Sequence, residues 1–524
     1  MFKPRIEDLI FVILSGAGYT GLPKVTLEAP RHDEHGDYAT NVSFQLARTL
    51  KKSPKDIAER VISVLNESPQ FSEVGTATAL NGFVNIKFHD AWLWAQFNQP
   101  DHGDFPKSND RFLVEYVSAN PTGPLHIGHG RWAVIGSALV NLLKRVGFDV
   151  HSEFYVNDAG NQVKNFHASV NAVKNGLPIP ENGYHGAYIS DLANSDTNPL
   201  EAMLASQKQV LASMGVEFDT WFRESSLTVT EDHVKRALDE LKSLGFIYEL
   251  DGATWFKSTD FGDDKDRVVV KADCVYSYFA ADIAYHYTKL TRGYTRLINL
   301  FGADHHGYVH RIMACVKAFK GTEYVDDVTF KIIIGQLVNL FRDGHPVRMS
   351  KRTGDMIMLD DVVDEIGGDA TRYFLLEKSP DTHLDFDLSL AVKQSSDNPV
   401  FYVQYAHARI CQILGKVSAA SLTFLNTESP LSHVVQLDPV ERQVVLEVLR
   451  YEDVLWYSAT ALMPHKIVHY AYHLARTFHL FYEHCPILKA DQADQERRIV
   501  ILKILQATLR DCFDVMGISA PDSM

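Results

Sequence analysis

Cysteine is scarce and scattered: Cys274, Cys315, Cys411, Cys485 and Cys512 are the five in 524 residues, and none falls in a Cys-x-x-Cys. That usage points to neither a zinc ribbon nor a disulfide framework. Long apolar runs are missing too, since no stretch reaches the roughly 18 residues of a membrane-spanning helix. The opening Met1-Phe-Lys-Pro-Arg-Ile-Glu-Asp8 puts charges where a signal peptide has its apolar core. The expectation is a cytoplasmic protein with no membrane partner. An excess of basic residues is lacking as well: 51 Lys and Arg against 66 Asp and Glu give a formal net charge of −15. A polyanion cannot then be bound across the whole surface, so any nucleic-acid site must be local. No internal repeat and no low-complexity tract breaks the chain.

What is present is an ordinary globular composition, 46% hydrophobic and 11% aromatic, in a chain too long for one core. Length alone suggests roughly three domains. Residues 1–105 read as a small mixed domain, with helical periodicity around Ile6 to Ile13 and Asp56 to Leu65 and a strand over Gly82 to Lys87. Between them Pro30 to Asn41 suits a charged surface loop. The basic group Arg48, Lys51, Lys52 and Lys55 fits a solvated helix face better than an RNA contact. His102 to Pro106 has the composition of a linker. Residues 106–397 alternate strand and helix, with a surface insertion around 177–260 whose 177–200 part is rich in Pro, Gly, Asn and Ser. From 398 to 524 the periodicity is helical almost throughout, as in a bundle. The fold class expected is α/β: a Rossmann-type parallel-sheet domain between a small α+β N-terminal domain and an all-α C-terminal bundle.

The informative stretch is Phe112 to Gly147. Phe112 to Val117 reads as a buried parallel strand interrupted only by Glu115. Asn120-Pro121 and Gly123-Pro124 force a loop. From Gly128, Val134, Ile135, Ala138, Leu139, Leu142, Leu143 and Val146 recur at helical steps, and Gly147 is placed to close the helix. The helix therefore starts at His126-Ile-Gly-His129. Its unpaired amides and partial positive charge suit phosphate oxygens, Gly128 lets a backbone approach, and two imidazoles add donors. This stretch holds neither Gly-x-Gly-x-x-Gly nor Gly-x-x-x-x-Gly-Lys-Ser/Thr, which leaves nucleotidyl transfer rather than a dinucleotide site or a P-loop. The blander alternative is two histidines capping a core helix.

Further on, Phe154 to Gly160 reads as a strand and its C-terminal loop, Val234 to Leu250 as helix into strand, and Arg267 to Lys271 as a strand. Val275 onward is helical, with Tyr278, Asp282 and Tyr285 on one face, either a binding site or a carboxylate bonded inside the core. Leu297 to Phe301 is another buried strand, emptying into Gly302-Ala-Asp-His-His-Gly307. Ile332 to Phe341 reads as one strand, Asp343-Gly344 as a tight turn. Val347-Arg-Met-Ser-Lys-Arg-Thr-Gly354 is either a phosphate-closing loop or an idle basic hairpin tip.

Together these strings resemble the class I aminoacyl-tRNA synthetases, and within that class the arginyl enzymes. The class signatures are His126-Ile-Gly-His129 and Met349-Ser-Lys351, the latter with Arg348 in its first position. The arginyl resemblance rests on Val114 to Arg131, Asn157-Asp-Ala-Gly-Asn161, Tyr278 to Tyr285, Gly302 to Gly307, Asn398 to Arg409 and Gly517-Ile-Ser-Ala-Pro521. One departure is Asp273-Cys274, where the family more often has Asp-Gly. The resemblance implies ligation of L-arginine to its tRNA with ATP and Mg2+ as a substrate complex, with no protein-bound metal. It implies catalytic roles for His126, His129 and Lys351, and ATP contacts from these and from Gly128, Gly302, Asp304, Met349 and Ser350. Arginine would be held by Glu115, Ser118, Asn120, Tyr278 and Asp282. The N-terminal domain would touch the corner of the tRNA and the bundle its anticodon, through Gln404, Tyr405 and Arg409. A monomer is expected.

The residues weigh against three rivals. A small-molecule nucleotidyltransferase needs no helical bundle; an aliphatic-specific synthetase needs an editing insertion and would leave Glu115 and Asp282 unpaired. A non-catalytic tRNA-binding relative would be free to lose His129 or Lys351, and both are present.

Overall fold

The chain is described by a computed structural model covering residues 1–30, 32–98, 103, 105–229, 232–320, 328–347, 357–417 and 436–524. Its centre is a five-stranded parallel sheet. Across it the order is Thr329–Gly335, Arg296–Gly302, Arg111–Glu115, Asp149–Val156, Thr220–Arg223. In chain order that is fifth, fourth, first, second, third. The chain steps outward from its first strand, then returns to build the other side, so the winding reverses between Arg111–Glu115 and Arg296–Gly302. Ligands of such sheets bind in the crevice beyond the strand ends at that reversal. The flanking strands are apolar because both faces are covered: Leu113, Val114, Leu297 and Ile298 are all buried.

The Ile127–Arg145 helix follows the first strand and buries Ile135, Leu139 and Leu142. It closes where the sequence predicts, at a left-handed Gly147 (φ +94°). Asp343 and Gly344, both at positive φ, form the expected tight turn between Val338–Arg342 and His345–Pro346.

Three expectations are corrected. The single strand over Ile332 to Phe341 is two, because the chain leaves the parallel sheet at Gly335 and Val338–Arg342 joins a second sheet beside Leu384–Asp387. Apolar continuity hides the break. Its exposed carbonyls are taken up by Arg131, a fully buried guanidinium donating to Gln336 O at 2.8 Å and Leu337 O at 3.5 Å. The helix expected from Val275 begins at Tyr278. Cys274 holds φ +62°, a left-handed conformation that a glycine takes without strain, and it forms the turn that leads into this helix. Lastly, the Pro30 to Asn41 surface loop contains the Tyr38–Thr40 strand and a buried Asp37. Burial is possible because Arg442 pairs with that acid.

The N-terminal region is an antiparallel sheet, Tyr38–Thr40, Phe83–Phe88 and Gly75–Leu80, under the helices Phe2–Gly16, Val42–Leu50 and Pro54–Glu67. Arg48, Lys51, Lys52 and Lys55 stay exposed on it. The C-terminal region consists, among the described residues, of the helices Pro399–Leu414, Pro439–Leu449, Tyr451–Ala461, His465–His484 and Gln492–Met516. It is stitched to the Ile127–Arg145 helix beside the central sheet by Arg372, buried, which donates to Met516 O at 2.8 Å, Met214 O at 2.9 Å and Ser137 Oγ at 2.8 Å. One buried apolar cluster runs from Phe2 through Leu139 to Phe513. No helix among the described residues is long and apolar enough to cross a membrane.

Candidate active site

The first strand stops at Glu115, short of the apolar run that continues to Val117, because Val117 and Ser118 turn left-handed at φ +70° and +44°. For a β-branched residue this is a strained backbone, costing on the order of 1–3 kcal/mol. The turn brings Ser118 back under the strand end. Its Oγ donates to Glu115 Oε1 at 2.8 Å and accepts the Tyr155 N–H at 3.1 Å.

Beyond the loop, His126 caps the Ile127–Arg145 helix. The Gly128 N–H donates to His126 Nδ1 at 3.1 Å, and the His126 N–H donates to His129 Nδ1 at 3.3 Å, closing a reciprocal box. The rings stack with centroids 3.7 Å apart. Since each Nδ1 accepts, each neutral ring carries its proton on Nε2. Residues just past the Arg348 to Lys351 motif are tied here: Leu359 N–H donates to Leu125 O at 2.9 Å, and His126 bridges to Met358. Trp132 reaches the site only because position 335 is glycine, where a Cβ would lie 1.6 Å from the indole ring.

These parts wall a cavity of about 640 Å³ at the winding reversal. Of the expected site residues, it brings together Glu115, Ser118, Asn120, His126, Gly128, His129, Asp282 and Gly302. Tyr278 is not among the lining residues; it is 59% exposed in the first helical turn, with its hydroxyl 3.4 Å from the Asn161 N–H that donates to it. Asn120 is exposed at the mouth and donates to Gln162 Oε1 at 2.6 Å. The Asp304 side chain and all of Met349, Ser350 and Lys351 lie outside the described residues.

The face of the Tyr278–Thr291 helix that meets the cavity differs from the one read off the sequence. Asp282, Tyr285, His286 and Lys289 lie at three- and four-residue steps toward the sheet. Asp282 accepts a hydrogen bond from the Tyr308 hydroxyl. Burial above all, then Glu224 and Glu115 nearby, raise its carboxyl to about 7 despite Tyr308 and Arg311. His286 is held neutral, lowered to about 3 by burial and by Lys289. Burial pushes Glu153 up, yet the Arg292 bonds and Lys289 bring it below the ordinary carboxylate range. Tyr155 donates to Glu224 Oε2 at 2.9 Å, and burial raises Glu224. Sequence reading missed Tyr155, His286, Lys289, Asn299 and Tyr308; the helical spacing of 282, 285, 286 and 289 was the available signal for two of them.

On the bundle, the Pro399–Leu414 helix carries the three residues expected to meet tRNA, and they differ in exposure. Gln404 is buried, donating to Asp369 Oδ2 at 2.8 Å and Ser519 O at 3.0 Å, because that helix face packs against the chain's last residues. Tyr405 is 39% exposed, with its ring 6.0 Å from that of His479. The Arg409 guanidinium lies 5.0 Å over the Tyr482 ring and donates to its hydroxyl at 2.5 Å. His407, Cys411 and Asp522 cluster beneath, but His407 Nδ1 already bonds Pro521 O at 2.9 Å and Gln506 donates to Cys411 Sγ at 2.9 Å.

Comparison with known proteins follows the same division. Residues 5–88 match the arginyl tRNA synthetase N-terminal domain. Residues 98–176 and 187–411 match the catalytic domain of class I (R) tRNA synthetases, and 403–524 the DALR anticodon binding domain. The arginine–tRNA ligase of Geobacillus thermodenitrificans is 40% identical, across 100% of this chain and 99% of its own. That of Listeria monocytogenes is 42% identical, across 96% and 95%. The Thermus thermophilus arginyl-tRNA synthetase structure superimposes with a TM-score of 0.80 over the full length of both chains at 21% identity, which supports the fold. With its catalytic, N-terminal and C-terminal matches and full-length relatives at this identity, the chain belongs to the arginyl-tRNA synthetase family.

Proposed function

We propose that the protein ligates L-arginine to its tRNA, using ATP as its magnesium complex and passing through an arginyl-adenylate. The observation that carries this reading is the meeting, in one cavity at the sheet's winding reversal, of a histidine-capped helix end and a carboxylate with a raised pKa. The arginine carboxylate attacks the α-phosphorus, pyrophosphate leaves, and the arginyl group then passes to a terminal ribose hydroxyl of the tRNA. No covalent enzyme intermediate is needed. Both steps require neutralisation of spreading negative charge, which the helix end, the Nε2 protons of His126 and His129, and Lys351 are suited to supply. Gly128, Gly302, Asp304, Met349 and Ser350 complete the ATP site in this reading. The guanidinium demands acceptors, for which Asp282 and Glu115 are suited, and in this reading Ser118, Asn120 and Tyr278 complete the arginine site.

The N-terminal region would meet the corner of the tRNA, and the bundle its anticodon through Tyr405 and Arg409. A cytoplasmic monomer completes the proposal. An amino-acid panel in ATP–pyrophosphate exchange, with and without tRNA, tests it. Arginine alone should respond, and strongly only with tRNA added; a response to another amino acid overturns the reading.

A further inference from the structure

Three buried polar side chains stand in one row across the sheet. Asn299, Glu115 and Glu153 are register partners on adjacent parallel strands, and are 1%, 5% and 0% exposed. The Tyr278–Thr291 helix and its following residue lay two cations over that row. Arg292 grips Glu153 with two bonds of 2.6 and 2.9 Å, while Tyr285 donates to the same carboxylate at 2.8 Å. Lys289, fully buried, donates to Glu115 Oε2 and, at 2.9 Å, to Asn299 Oδ1, with its ammonium 4.4 Å from the Tyr285 ring centroid. Asn299 is itself fixed by His286 Nε2 at 3.2 Å.

A buried ammonium is costly unless its attraction and hydrogen bonds repay the loss of water. Here the repayment goes to one carboxylate of the cavity wall. The other oxygen of Glu115 takes the Ser118 hydroxyl, and Ser118 is the left-handed residue from which the chain enters the His126 loop. Asp282, two helical turns before Lys289 on the same face, has no ion pair among the described residues and lines the same cavity.

We propose that Lys289, held by Asn299, is a positioning residue of the amino-acid pocket: it fixes the Glu115 carboxylate against the Ser118 turn and cancels its charge. Arg292 does the same for Glu153. Among the described acids lining the cavity, Asp282 is then the one whose charge is left for a substrate cation, while Glu115 offers acceptor oxygens held in place and already neutralised. The proposal rests on the reading of this cavity as the arginine pocket, but concerns a residue that never touches the substrate.

The test is a double-mutant cycle in the full-length protein with Lys289→Met, Glu115→Gln and the pair together, each checked by circular dichroism and ATP binding. Arginine and ATP KM values are measured in tRNA-dependent exchange. Lys289→Met should raise the arginine KM by about tenfold with the ATP KM within about twofold, and the pair should be no worse than Glu115→Gln alone, since Lys289 acts only through Glu115. Should Lys289→Met fail to fold because Glu115 is left unpaired, the comparison of the pair with Glu115→Gln still decides. Additive losses, an unchanged arginine KM in folded Lys289→Met, or equal rises for arginine and ATP overturn the proposal. If the wild type activates a different amino acid, the arginine reading fails separately, and the same cycle is read on that amino acid.

Discussion

Asp37 and Arg442 meet in a two-pronged ion pair, both N···O distances 2.6 Å, across 405 positions of chain. Asp37 is 4% exposed, and Arg442 also donates to Asp90 Oδ1 at 2.8 Å and Phe88 O at 3.0 Å. The N-terminal sheet is thereby locked onto the Pro439–Leu449 helix. Asp37→Ala leaves a largely buried guanidinium short of its main partner, so stability should fall by about 3–5 kcal/mol. A urea-denaturation midpoint checks this; a loss below about 1 kcal/mol would show that solvent already screens the pair.

An interlock across 405 positions is not written in neighbouring residues. Phe112 to Val114, the helix period ending at Gly147 and the Asp343-Gly344 turn were legible because each is written in neighbouring residues. The strand end was not: Val117 favours extended backbone by its own propensity, and only the surrounding turn forces it left-handed. Nor could one chain reveal that Asn299, Glu115 and Glu153 share a row, since register between strands far apart in sequence is set by the assembled sheet. Gln404 shows the same limit on a helix. Its periodicity gives an apolar face, but not that residues 517–522 fold back to cover its polar neighbour.

Asp282 should make arginine binding depend on pH. Burial raises its carboxyl to about 7, whereas the guanidinium pairs with the ionised form. Binding must therefore displace the proton, and arginine affinity should rise between about pH 6 and 8. For folding without ligand the sign is reversed: the group's contribution is complete below the unfolded carboxyl pKa of about 3.9 and is lost as pH rises through 7. Calorimetry at pH 6 in two buffers of different ionisation enthalpy should register proton release on binding. Asp282→Asn should abolish that release; a release of equal size in the variant would assign the proton elsewhere.

His129 has two jobs that a pair of variants separates. Its Nδ1 accepts the His126 N–H, a helix cap, while Nε2 is proposed to face developing charge on the phosphates. His129→Ala removes both and should lower activation by roughly 10²-fold. His129→Asn can keep an acceptor for the cap and still lacks the Nε2 proton, so it should remain as slow. Recovery of near wild-type turnover in His129→Asn would reduce the histidine to a cap. Lys351→Ala should show a loss similar to that of His129→Ala at saturating ATP.

An acidic protein can hold tRNA only at a few places. With a net charge of −15, phosphate attraction cannot be general, so contacts must be few and local, with unpaired bases stacking on exposed rings. The Pro399–Leu414 helix and the His465–His484 helix present such rings side by side: Tyr405, Tyr472 and Tyr482 are each 37–40% exposed, and Arg409 lies over Tyr482. Removing the whole bundle is a poor test, because Arg372 and the shared core bind it to the catalytic region. Single substitutions are cleaner. Tyr405→Ala should weaken tRNA binding by about 1–3 kcal/mol through lost stacking. Arg409→Ala should weaken it and also flatten the salt dependence, since a cation is lost. Both should leave the arginine and ATP KM values in exchange unchanged at saturating tRNA. Direct tRNA titrations at two salt concentrations, using arginine tRNA and a variant with an altered anticodon, give the readout. The surface is misassigned if Tyr405→Ala binds both tRNAs as wild type does.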